Sequence, residues 1–207
     1  MKTKRKALLL SLCAVLLVVA SVMGTMAYLT SSATVTNTFT VGDAVTITLD
    51  EADVNDDGTV IADADRVTEN SYKLMPGHEY TKDPTVHVTG GECYVFVKVT
   101  NGLGTLEADT NTIADQMADK GWKAVAGVEG VYIYNVSAEG DKTAVSGTTE
   151  NPTNLTVFEK FTIKDGAVRE DLTKASDIVI KAYAVQTDGF ESKTPAEIWN
   201  TALKDLT

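Results

Sequence analysis

Histidine and cysteine are scarce in this chain of 207 residues, which has two of each: His78 and His87, Cys13 and Cys93. So few ligands exclude a zinc centre of four cysteines. A single cysteine beyond residue 27 excludes there both a centre of two cysteines with two histidines and a disulfide framework. There is no H-E-x-x-H motif, and no third ligand stands at helical spacing from either histidine, so zinc-dependent hydrolysis lacks its parts. The chain shows neither an L-P-x-T-G wall signal nor a second long hydrophobic segment, so covalent wall attachment by that route is not expected. Basic residues are also few, 18 against 29 acidic, for a net charge of −11. All four charged residues in the first 27 are basic, which leaves the other 180 at −15. So acidic a body disfavours nucleic acid and anionic membrane surfaces, since both are polyanions.

The chain does have the length and composition of a globular protein, 43% hydrophobic and 23% charged, with enough residues for a core. Its first 27 residues read as an address. Lys2, Lys4, Arg5 and Lys6 precede the apolar run Ala7–Val22, and Gly24-Thr25-Met26-Ala27 follow, the layout of a secretory signal peptide. The run falls short of the ~20 residues of a spanning helix. Cleavage is expected between Ala27 and Tyr28, leaving one domain over 28–207; the alternative is an uncleaved anchor, the one expected contact with membrane. Cys13 follows Leu12 in mid-run, the wrong place for lipid attachment. Cys93, alone after export, is expected to be a buried thiol.

Strand patterns dominate the rest. Over 33–49, Val35, Asn37, Phe39 and Val41 alternate on one parity, then Val45, Ile47 and Leu49 after Gly42-Asp43. Residues 50–71 are polar and acidic, an excursion between strands. A strand is expected over 81–88, a turn at Gly90-Gly91, and the strongest strand at 93–99, with Cys93, Val95, Val97 and Val99 toward the core and Lys98 marking a wetter face. Further strands are expected over 131–136, 155–163 and 177–186. Ile113 and Met117 are spaced as on a short helix within 111–122. Thr194-Pro195-Ala196-Glu197 carries an N-cap, a first-turn proline and a capping box for a C-terminal helix. Short strands with turns between them and few helices predict an all-β fold, an antiparallel jelly-roll-like β-sandwich with one inserted and one C-terminal helix.

Candidate chemistry is thin. Asp53-Val54-Asn55-Asp56-Asp57-Gly58 matches the first half of a calcium loop, with Asp53, Asn55 and Asp57 as oxygen donors. The twelfth position is Ala64 where a bidentate carboxylate belongs, and no helix pattern flanks the loop. The other reading, an acidic β-turn, is therefore favoured, and no cofactor is expected beyond this calcium candidate. Both histidines read as surface residues. Cys93 lies on a core parity with no histidine near it in sequence, so a nucleophile is not expected. No catalytic residue set emerges.

Three stretches carry a resemblance. Residues 24–52, residues 72–88 (YKLMPGHEYTKDPTVHV) and residues 178–190 (IVIKAYAVQTDGF) resemble the TasA/camelysin family of secreted Gram-positive proteins with SipW-dependent signal peptides. The signal segment running directly into A-Y-L-T-x-x-A-x-V-x-N-x-F-x-V-G is the most specific part. The resemblance implies a signal peptide removed by a dedicated peptidase and an extracellular jelly-roll domain. It also implies a subunit of a biofilm-matrix fibre or surface layer, partnered by copies of itself and other matrix proteins. In fibre-forming relatives a freed N-terminal strand completes the neighbouring subunit; here that donor would lie within Tyr28–Val41, with Val35, Phe39 and Val41 as its anchors. The stretch Tyr28–Val41 carries no charged side chain, and such a strand can add to an exposed edge through main-chain hydrogen bonds. It can equally pair within its own domain. Camelysin-like relatives are described as metalloproteases, an activity that would need His78, His87 and a carboxylate to converge. A monomeric surface adhesin or binding module is a further alternative.

Overall fold

The computed structural model describes residues 30–33 (backbone only), 44–138 and 140–206. Ala27, Tyr28, Val35, Phe39 and Val41, the cleavage point and donor anchors expected from sequence, lie outside the described residues. The chain divides into Met1–Thr30, of which only Thr30 is described, and Ser31–Thr207.

Strand outweighs helix, 36% to 16% of residues, and the strands are organised around one of them. This is β4, Thr85–Asn101, 17 residues long, where a typical strand has about six. Its valines, aromatics and threonines suit a pleated, buried surface. The N-terminal half pairs with β2 (Thr46–Asp50) on one side and β8 (Thr153–Thr156) on the other. The C-terminal half pairs with β10 (Ile178–Gln186) and β6 (Val131–Tyr134), and β6 in turn pairs with β5 (Trp122–Ala124). All these pairings are antiparallel. The order along the main path is β1 (Thr30–Ala33), β10, β4, β6, β5. Separately, β3 (Glu79–Thr81) pairs with β9 (Lys160–Thr162).

The expected turn at Gly90-Gly91 is instead a bulge inside a single strand. Against β7 (Val145–Gly147), Gly90 faces Gly147 and Cys93 faces Val145, so β4 spends one residue more than its partner. That residue inverts the inward parity. Before it the even-numbered Val86 and Val88 face the principal core; after it the odd-numbered Cys93, Val95 and Val97 face the same core. Gly90 has φ +98°, and a Cβ there would lie 2.0 Å from the carbonyl oxygen of Ala44, so the bulge requires glycine.

A second core lies on the other face of β4, the face expected to meet solvent at the Lys98 end. Tyr94 and Phe96 meet Ile133, Tyr183 and Val185 under the C-terminal helix, while Lys98, beyond its reach, is half-buried. That helix begins as α3 (Pro195–Ile198), widens into a π-turn over Trp199–Leu203 and tightens over Lys204–Leu206. The Thr194 hydroxyl accepts from the Glu197 N–H, and the Glu197 carboxylate accepts from the Thr194 N–H, the capping box read from sequence. Ile198, Trp199 and Leu203 are buried on the sheet, each contributing about 1.5–3 kcal/mol of transfer free energy. Trp199 stands edge-on to Tyr183 at 5.2 Å.

The inserted helix α1 (Ile113–Asp119) buries Ile113 and Met117 in the principal core, as their spacing predicts. Buried Gln116 donates to the Lys160 carbonyl and accepts from the Glu159 and Lys160 amides, docking the helix beside β9. Residues 155–163, expected as one strand, divide between β8 and β9, which join different sheets. A single turn, α2 (Arg169–Leu172), precedes β10.

Candidate functional site

Where β2 runs out, its in-and-out alternation carries one residue further, into the excursion 51–71. Asp50 stays on the outer face, and Glu51 turns inward to 4% exposure, fixed by paired backbone hydrogen bonds with Val67. A buried carboxylate must be paired and hydrogen-bonded. Glu51 Oε2 accepts from Lys82 Nζ at 2.6 Å, and Lys82 is itself 9% exposed. Glu51 Oε1 accepts from Asn70 Nδ2 at 3.0 Å. The Asn70 amide is tied at both ends: Nδ2 also donates to the Ala52 carbonyl (2.8 Å), and Oδ1 accepts from the Val54 N–H (3.1 Å). Tyr72 walls the pair, with Lys82 Nζ 5.9 Å from its ring centre and its hydroxyl donating to the Thr81 carbonyl. Burial, and then the nearby Glu51 and Asp83 carboxylates, raise the Tyr72 pKa.

A second layer of charges lies outward of this pair. Arg66 donates through Nε to Asp50 and through Nη1 to Asp83 Oδ2 at 2.9 Å, and reaches both residues' carbonyls. Partial burial works against its charge, but the hydrogen bonds and charges of Asp50 and Asp83 outweigh it and raise the Arg66 pKa. Asp83 Oδ1 accepts from the Ala52 N–H at 2.6 Å. His87 closes the chain of contacts, with Nε2 2.9 Å from Asp50 Oδ1 and Nδ1 2.7 Å from Asn154 Oδ1. The cluster thus ties β2, the excursion, the β3–β4 link, β4 and β8 together through side chains.

The sequence-derived candidates fall elsewhere. Asp53, Asn55 and Asp57 sit on a tight turn closed by the Val54–Val60 bridge. Asp57 Oδ1 accepts from the Thr59 hydroxyl (2.7 Å) and N–H (3.0 Å), bonds that lower its pKa, and Asn55 Nδ2 donates to Thr59 Oγ1. The Asp57 carboxylate therefore serves its own turn, in the Asx manner. His78 caps that turn from outside, its Nε2 2.8 Å from the Asp57 carbonyl oxygen and its ring edge-on to Tyr80. The two histidines, both half-buried, spend their ring nitrogens on different partners. Among the described residues no three His, Cys, Asp or Glu side chains gather as a metal site. Cys93 is buried, and burial pushes its thiol up to about 12.

Sequence reading passed over Glu51, Asn70 and Lys82. They are separated along the chain by polar residues of no fixed period, and only the docking of the excursion joins them. One signal was present: Glu51 directly continues the alternating β2, where an acidic side chain on the inward parity needs a buried cation. The chain matches no family model, no curated protein and no solved structure.

Proposed function

We propose that this is a secreted structural protein, a subunit of an extracellular matrix fibre or surface layer, joined by N-terminal strand addition. The supporting observation is the place of β1. These four residues, close to the start of the chain, take the edge position beside β10, a nine-residue strand. A short edge strand next to a longer neighbour leaves main-chain groups to which a strand from another copy can add. The same segment offered to the next molecule instead of its own makes a head-to-tail contact, which does not close and so extends a filament. The charge distribution fits this reading. A body at −15 repels its copies, whereas Tyr28–Val41 carries no side-chain charge and Val35, Phe39 and Val41 are apolar anchors for a partner's core.

The fold reading that goes with this proposal is a jelly-roll-like β-sandwich. In that reading the bulge at Gly90 is the corner where β4 passes from one sheet to the other, because bulges let a strand bend between packed layers.

The test compares protein beginning at Tyr28 with protein beginning at Asp43 by size exclusion and electron microscopy. Filaments are expected only from the former. Filaments from both would refute strand addition, and monomers from both would favour an adhesin or binding module. Casein cleavage that a chelator abolishes would replace the structural reading with the metalloprotease one.

A further inference from the structure

Lys82 and Glu51 place an amine against a buried carboxylate, and half-buried Asn70 sets a carboxamide on that carboxylate's other oxygen. A buried ion pair alone needs only the first two groups, and it is a weak source of stability because desolvation offsets its attraction. The third group changes the chemistry available. One carboxylate holds the amine on one oxygen and the amide nitrogen on the other, which is the placement needed to move a proton from a nucleophile to a leaving group. The Val54 N–H on Asn70 Oδ1 supplies a donor where negative charge would develop on that oxygen. The second bond of Nδ2, to the Ala52 carbonyl, holds the carboxamide in this orientation.

From this geometry we infer that Lys82 and Asn70 form an intramolecular isopeptide bond, with Glu51 as the proton-transfer group. Glu51 takes a proton from the Lys82 ammonium through Oε2. The freed amine attacks Asn70 Cγ, the Nζ–Cγ bond forms, and the carbonyl electron pair moves onto Oδ1 against the Val54 N–H. The intermediate collapses as the Cγ–Nδ2 bond breaks. Glu51 delivers its proton to Nδ2, takes a second proton from Nζ and is left as the neutral acid, and ammonia departs. Amine and carboxamide become amide and ammonia, with no oxidant, metal or cofactor. The product replaces a buried charge pair with a covalent strap from the end of the excursion to the β3–β4 link, which, on the proposed matrix function, suits a protein exposed to proteases and mechanical load.

The test is a tryptic peptide map of the purified full chain by tandem mass spectrometry, with the intact mass alongside. Wild type is expected to lose about 17 Da, one ammonia. Amidated Lys82 would resist trypsin, so residues 67–73 should appear joined as a branch to residues 74–98. Glu51→Gln, shown to be folded by circular dichroism, and Lys82→Arg should both yield residues 67–73 free and unmodified. Wild type that releases residues 67–73 and 74–82 as separate, unmodified peptides overturns the inference. So does a loss of about 17 Da that persists in Lys82→Arg, which would place the event at Asn70 alone as a succinimide. A branch that forms undiminished in Glu51→Gln would remove Glu51 from the chemistry.

Discussion

Gly90→Ala tests the structural point on which both cores depend. Two costs are expected. The first is conformational: Gly90 has φ +98°, and an L-residue in a left-handed conformation costs roughly 1–2 kcal/mol. The second is steric: the new methyl would lie 2.0 Å from the Ala44 carbonyl oxygen and 2.9 Å from its carbon, both backbone atoms leading into β2. Backbone cannot yield as a side-chain tip does, so relief requires moving the start of β2 or unbending β4, and either disturbs the Thr46–Thr89 register. Over-packing of this kind adds about 1–3 kcal/mol, for a total near 3–4 kcal/mol. Gly127→Ala is the control. Its φ is +75° and nothing lies within 4 Å of the added methyl, so it carries the conformational cost alone. Urea titration at constant slope should show Gly90→Ala losing at least twice as much stability as Gly127→Ala. In thermal melts that is roughly 6–16 °C against 2–8 °C for a body of this size. Equal losses would refute the close approach at Ala44, and with it the bulge as the device that inverts parity.

Alkaline pH should weaken the fold through Cys93. Its native pKa, about 12, exceeds its ordinary value of 9.0, so below pH 9 the contribution is fully present. Between pH 9 and 12 the unfolded thiol ionises while the native one stays protonated, and stability falls by up to about 1.4 kcal/mol per pH unit. Cys93→Ala should flatten the decline in urea midpoint across that window, leaving the part due to Tyr72, Tyr80, Tyr94 and Tyr183, which burial also raises. Parallel slopes in variant and wild type would exclude the thiol as its source. Tyr183 lies under Trp199 with its hydroxyl buried and, among the described residues, without a hydrogen-bond partner. Tyr183→Phe should therefore gain about 1 kcal/mol and raise the melting temperature by a few degrees; a loss would show that the hydroxyl is bonded.

Features that depend on a few adjacent residues were legible in the sequence. The box at Thr194–Glu197 forms because its donors and acceptors lie within one turn. The pairing of Ile113 with Met117 and the inward parity of Cys93, Val95 and Val97 follow from the periods of helix and strand. The tight turn at Asp53–Gly58 follows from residues that hydrogen-bond to their near neighbours.

What required the tertiary structure were the choices among non-local partners. Gly90-Gly91 reads as a turn when the flanking strands are considered alone. It becomes a bulge because β2, β7, β8 and β10 pair on either side of it, so that β4 continues through it as one strand. Lys98 marks one end of a face as wet, but no local rule indicates that a helix about a hundred residues later covers Tyr94 and Phe96. Glu51, Asn70 and Lys82 form no motif along the chain. They meet because the excursion folds back on β2, and burial then compels each polar group to find a partner. The sequence alone determined an acidic, strand-rich protein with an uncharged stretch over Tyr28–Val41. The tertiary structure decided that β4 serves two cores, and that one buried carboxylate faces both an amine and an amide, because long-range pairing and desolvation act only on the folded chain.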